Sequence, residues 1–134
     1  MSQENVEIVR SAFIATSGGD PTAALAAYDP AGEWDMTGVA GWAEKDVYRG
    51  VEEYLPFLQG WANSWRDWHY EIEEVRDAGE QVFIAIHELA FGIESGASVD
   101  QRRYFAVEVD RGLIVRVRMF SERLDALKAA GLEG

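Results

Sequence analysis

The stretch WHYEIEEVRDAGEQVFIAIHELAF, residues 68–91, decides the fold, together with its continuation SVDQRRYFAVEVDRGLIVRVRMF at 98–120. From Trp68 onward apolar residues recur at about every second position, the period of a strand whose side chains alternate between two faces. Turn residues cut the stretch at Asp77-Ala78-Gly79-Glu80, at Glu94-Ser95-Gly96-Ala97 and at Asp110-Arg111-Gly112. The last is short and glycine-bearing, as hairpin turns are. The spacing predicts strands over 68–76, 82–92, 99–110 and 113–121. Within Val82–Phe91 one face carries Val82, Ile84, Ile86, Glu88 and Ala90, and the other Phe83, Ala85, His87, Leu89 and Phe91. Both faces are largely apolar, so both need cover.

Upstream the period is helical. Val6, Val9, Phe13 and Ile14 mark a helix over 3–17, stopped by Gly18-Gly19. Asp20-Pro21 restarts a second, alanine-rich helix, since Asp caps and Pro suits the first helical position; Asp29-Pro30 ends it. A short strand is expected over 33–37, an irregular loop over 38–50, and a third helix over 51–65 with a kink or late start at Pro56. Arg123–Ala130 reads as a short terminal helix with Gly131 just past its end. Helices first and a four-strand meander after them predict an α+β domain over residues 1–134. With the helices spent on one face, the apolar second face points to a homodimer through Phe83, Leu89 and Phe91.

Composition removes several function classes. Twelve Lys and Arg against 24 Asp and Glu give a net charge of −12, which repels phosphate backbones and anionic membranes, so no nucleic-acid or membrane partner is expected. There is no cysteine, hence no disulfide, thiol nucleophile or zinc-thiolate site, and His69 and His87 alone cannot build a histidine-rich metal site. The start MSQENVEIVR lacks the apolar core of a secretory signal and no run approaches 18 apolar residues, so a cytoplasmic location is expected. No phosphate-binding loop, dinucleotide fingerprint or serine-hydrolase elbow occurs. Cofactor-free chemistry fits this inventory.

The order NVEIVRSAF, GGDPTAALAAYDPAGEWD, VYRGVEEYLPFLQGW, DAGEQVFIAI and DRGLIVRVRMFSERLDALKAAGL, covering Asn5 to Leu132, resembles the nuclear transport factor 2-like superfamily. Within it the chain resembles the SnoaL-like and ketosteroid-isomerase-like proteins. The resemblance implies a cone-shaped roll, a curved, mostly antiparallel sheet wrapped around three N-terminal helices, with an apolar pocket at the wide end and frequent dimerisation through the sheet's outer face. It implies either a cofactor-independent isomerase, cyclase or hydrolase of a hydrophobic small molecule, working by general acid–base catalysis, or a non-catalytic domain that binds a small ligand or a partner. One scaffold hosts all of these, so the site must decide.

Asp35 stands where the ketosteroid isomerases place their general base. Their oxyanion donors, a tyrosine and a protonated aspartate, fall near Ala12-Phe13 and Phe105, which donate nothing from their side chains and so argue against a steroid-type isomerase. Glu88 shares a strand face with Ile84 and Ile86. Burial there disfavours a charged carboxyl and suits an acid or base working near neutrality, whereas a slip of register would leave it at the rim beside an arginine. Arg103 alternates with Phe105 and Val107 and is placed to stabilise an oxyanion, or to pair with Asp35 or Glu88. The catalytic candidates are therefore Asp35 as the base, with Glu88 and Arg103 as supporting acid or electrostatic groups, and Asp35 and Glu88 are both expected to line the cone. Trp34, Trp42, Tyr48, Phe105 and Met119 are the candidate ligand-binding residues. His87, on the opposite strand face, is read as an interface histidine.

Overall fold

The computed structural model describes residues 2–18, 24–39, 45–92 and 96–132. Helix α1 (Ser2–Ser17) leads to a single 3-10 turn at Leu25–Ala27 and strand β1 (Tyr28–Gly38). Strand β2 (Val47–Arg49), helix α2 (Val51–Asn63) and strands β3 (Trp65–Ala78), β4 (Gln81–Gly92), β5 (Ser98–Asp110) and β6 (Leu113–Phe120) follow, and helix α3 (Arg123–Ala129) closes the series. The six strands form one mixed sheet in the order β2-β1-β6-β5-β4-β3. Strand β1 runs parallel to β6 and the other pairings are antiparallel. The α+β class, the N-terminal helix and the meander stand as the sequence implied.

The meander's turns have the expected chemistry. Arg111 and Gly112 both have positive φ, 52° and 80°, the signature of a two-residue hairpin turn that matches strand twist. Differences from expectation concentrate before it. Residues 19–23, where the second helix was to begin, lie outside the described residues. Leu25–Ala27 make only one 3-10 turn, and Asp29-Pro30 lie inside β1 rather than at a helix stop. The pairing of β1 with β6 shifts register between Tyr28 and Glu33, and that irregularity accommodates a proline with no N–H to give. Helix α2 runs through Pro56 to Asn63. Of the expected loop, Val47–Arg49 pair with Asp35–Glu33 as β2, a strand too short to display a period.

Of the three helices among the described residues only α1 and α2 precede the meander, which corrects the expectation of three N-terminal helices. They share one apolar cluster with Trp34, Met36, Ile84, Ile86, Phe105, Val107 and Val117. Helix α3 takes the opposite face: Ala126, Leu127 and Ala130 pack on Phe83, Ala85 and Ala106. Arg123 holds α3 down by donating to Glu74 and lying over the Phe83 ring, 5.2 Å from its centroid, while Arg118 donates to the carbonyl of Ala129 at 2.9 Å. Gly131, at φ 82°, lets Leu132 N–H return to the Leu127 carbonyl and ends the helix. The second apolar face thus finds its cover within the chain. Phe83 is fully buried there, Leu89 is half-buried and Phe91 is 53% exposed, so the patch expected to drive dimerisation loses its centre.

Candidate functional site

Strands β4 and β5 set Ile84 opposite Phe105, Ile86 opposite Arg103 and Glu88 opposite Gln101. Alternation turns all six toward the side covered by α1 and α2. There a cavity of about 70 Å³, several times what one water needs, lies between the sheet and the two helices. Helix α1 contributes Phe13 and Thr16, and α2 contributes Phe57, Leu58 and Trp61. The strands add Tyr28, Trp34, Trp68, Tyr70, Ile86, Phe105 and Met119. Four polar residues reach it: Thr16, Glu88, Gln101 and Arg103.

Two of the neutral polar groups are already committed. Thr16 Oγ1 donates to the Ala12 carbonyl at 2.9 Å, and the Tyr70 hydroxyl donates to the Phe13 carbonyl at 2.6 Å. Burial pushes the Tyr28 and Tyr70 hydroxyls well above the ordinary tyrosine value, so both stay protonated and neither is a base. Glu88 is buried, and both its oxygens accept: Oε2 from the Trp68 indole N–H at 2.8 Å and Oε1 from Gln101 Nε2 at 2.7 Å. An indole N–H can only donate, so Glu88 is held as an acceptor, with a second lone pair on each oxygen left for a ligand. Arg103 lines the same cavity and pairs with no carboxylate among the described residues.

Asp35 lies elsewhere. Trp34 and Met36 are buried on the inner face, and alternation therefore sends Asp35 to the outer one. Its carboxylate accepts from Thr37 N at 2.9 Å and Thr37 Oγ1 at 2.6 Å, and Arg116 Nη2 lies 3.5 Å away. Burial pushes the Asp35 carboxyl up, but the Thr37 bonds and the Arg116 charge outweigh it and hold it below the ordinary aspartate value. Asp35 does not line the cavity, so the structure does not bring it together with Glu88. Two large apolar neighbours fixed the register of β1 one residue away from what a cavity-facing Asp35 requires.

Of the other sequence candidates, Trp34, Phe105 and Met119 line the cavity. Tyr48 is buried behind the wall, its ring stacked on Phe57 at 4.7 Å, and Trp42 lies outside the described residues. His87 sits on the outer face beside Asp100. Trp68 and Gln101, which hold Glu88, were not singled out from sequence. Gln101 was legible from the β4–β5 register. Trp68 follows a bulge at Asp67 (φ 55°), a conformation Asp tolerates but no local pattern announces. Among the described residues no His, Asp or Glu cluster could hold a metal ion, and no helix is long and apolar enough to cross a membrane.

The model of the SnoaL-like domain family matches residues 9–117. The chain belongs to the SnoaL-like family. An NTF2-like protein from Burkholderia thailandensis E264 shares its fold with a TM-score of 0.77 at 25% identity, over 96% of this chain and 97% of that one. A protein with a ketosteroid isomerase-like fold from Catenulispora acidiphila DSM 44928, crystallised with trimethylamine, matches at TM-score 0.73 and 16% identity, covering 95% and 94%. TerC, co-crystallised with polyporic acid, matches at 0.75 and 13%, covering 96% and 98%. Among curated proteins no match to the chain is found. Membership supports a small-molecule role at family level, and the resemblance read from sequence stands.

Proposed function

We propose that this SnoaL-like protein takes a hydrophobic, carbonyl- or epoxide-bearing small molecule into the aromatic-lined cavity and acts on it without a cofactor, with Glu88 as general base and Arg103 as electrostatic partner. The observation that carries this reading is the buried Glu88 carboxylate in one cavity with an arginine that has no carboxylate partner among the described residues. On a carbonyl substrate, Glu88 would remove a proton from the adjacent carbon while the Arg103 guanidinium stabilises charge developing on the oxygen. Returning that proton to another carbon completes an isomerisation, and attack of the carbanion on a second carbonyl would complete a cyclisation. The ligands carried by the trimethylamine and TerC relatives support a cavity that admits small molecules.

A second reading, a non-catalytic binding domain, is favoured by the two neutral donors that already occupy Glu88. A panel of cyclic ketones, epoxides and polyketide fragments, followed by tryptophan fluorescence, thermal shift and product analysis, separates the two. Turnover abolished in Glu88→Gln while binding is weakened but still measurable supports the enzyme. Binding with no turnover of any ligand supports the second reading, and no binding at all overturns both. A homodimer belongs to this reading only through the surface around Phe91, and a monomer at micromolar concentration in sedimentation would remove it.

A further inference from the structure

Glu88 and Arg103 stand on neighbouring antiparallel strands, offset along the ladder: Glu88 faces Gln101, and Arg103, two residues further on, faces Ile86. Diagonal neighbours of this kind lie about 7–8 Å apart, within reach of long side chains. The two could close into a salt bridge, yet no ion pair joins them. Glu88 turns instead to the Trp68 indole at 2.8 Å and the Gln101 amide at 2.7 Å. Arg103, half-buried, lines the same cavity without a carboxylate partner among the described residues.

The other polar groups described in the cavity are neutral. Tyr28 and Tyr70 stay protonated, and Thr16 is bonded to the Ala12 carbonyl. The charge of the described lining is therefore one carboxylate and one guanidinium, which sum to zero but do not touch. Each repels the ion that the other attracts. A carboxylate drawn to the Arg103 fork meets Glu88, and an ammonium drawn to Glu88 meets Arg103. Either ion must also shed its water among aromatic rings. A hydroxyl escapes both conflicts, because its hydrogen goes to a free lone pair of Glu88 while its oxygen accepts from the guanidinium. We infer that Glu88 and Arg103 together sort ligands by charge, admitting hydrophobic ring compounds with a neutral, hydroxyl-bearing head and rejecting carboxylic acids and amines. An enolisable ketone offers such a head as its enol, and an epoxide gains one on opening. The inference rests on the cavity being the ligand site, as proposed above, and adds the class of polar head it takes.

Four compounds on one apolar skeleton test it. At neutral pH 4-isopropylphenol and 4-isopropylbenzyl alcohol are neutral, 4-isopropylbenzoate is an anion and 4-isopropylbenzylamine a cation. In titration calorimetry the wild type should bind the alcohol and the phenol at least about tenfold more tightly than either ion. Glu88→Gln should tighten benzoate binding about tenfold and not that of the amine; Arg103→Met should tighten the amine about tenfold and not the benzoate. Either ion bound by the wild type as tightly as the alcohol overturns the inference and leaves the cavity reading intact. So does a benzoate affinity unmoved by Glu88→Gln, or an amine affinity unmoved by Arg103→Met, with the alcohol still bound; the apolar walls would then reject the ions by themselves. Failure of all four compounds to bind the wild type overturns the cavity reading itself. The two variants are independent tests, so one that does not fold leaves the other and the wild-type ranking to decide.

Discussion

On the outer face of the sheet Asp35 lies against Arg116, Glu74 against Arg123 and Glu73 against Arg102, whereas on the inner face Arg103 has no carboxylate partner among the described residues and Glu88 is held by two neutral donors. The outer charges satisfy one another around a helix and its apolar seat. The inner ones sit among aromatic rings, where an incompletely matched charge is costly to stability. Charges that are matched within the chain hold the fold together, and those left unmatched in a cavity are available to a ligand.

The largest effect that can break this comparison lies under α3. Phe83→Ala should cost about 3–5 kcal/mol in denaturant unfolding, because Phe83 belongs to a second core. A cost within about 0.5 kcal/mol, as for a surface residue, would mean that α3 does not cover the face. Next come the unmatched charges. Glu88→Gln and Arg103→Met should each weaken binding of a phenol by about tenfold, since hydrogen bonds to charged groups are the stronger kind. Both variants should keep near wild-type stability; equal losses of binding and stability would make the pair structural.

Asp35→Asn should do the reverse, leaving phenol binding unchanged and lowering stability at neutral pH by about 1 kcal/mol. The folded Asp35 titrates below the ordinary value of 3.8. Its contribution is therefore complete above roughly pH 5 and is lost as pH falls through the unfolded and then the folded value. The stability gap between wild type and Asp35→Asn should be flat from neutrality to about pH 5 and close in stronger acid; a gap that widens in acid contradicts the pairing. The smallest effect is expected at the exposed latch. Arg123→Met should cost less than about 1 kcal/mol, and 1 M salt should reduce that cost through screening of the Glu74 pair. A salt-independent loss would assign the effect to contact with Phe83 instead.

Much of this was legible in the sequence, for reasons that particular residues make plain. The meander was readable because Val82–Phe91 and Tyr104–Val109 keep the two-residue period and the turn at Arg111-Gly112 carries its own chemistry. The cavity placement of Glu88, Arg103, Phe105 and Met119 followed from that period. Asp35 misled because the five-residue strand expected over 33–37 gives two registers equal local support, and only packing of Trp34 and Met36 against α2 and β6 selects one. The α3 cover was missed for a related reason. The short helix at Arg123–Ala130 was visible, but the burial of Phe83 by Leu127 is a contact across 44 positions that no local pattern encodes.

The most direct measurement is a crystal structure of the protein with 4-isopropylphenol bound. We expect the ring in the cavity between β4, β5 and α2, with its oxygen within about 3.2 Å of both the Glu88 carboxylate and the Arg103 guanidinium, and Asp35 still against Thr37 and Arg116. A phenol seated on the outer face with its oxygen on Asp35, or a cavity left unfilled while the phenol binds elsewhere, would contradict the assignment of Glu88 and Arg103 as the functional pair.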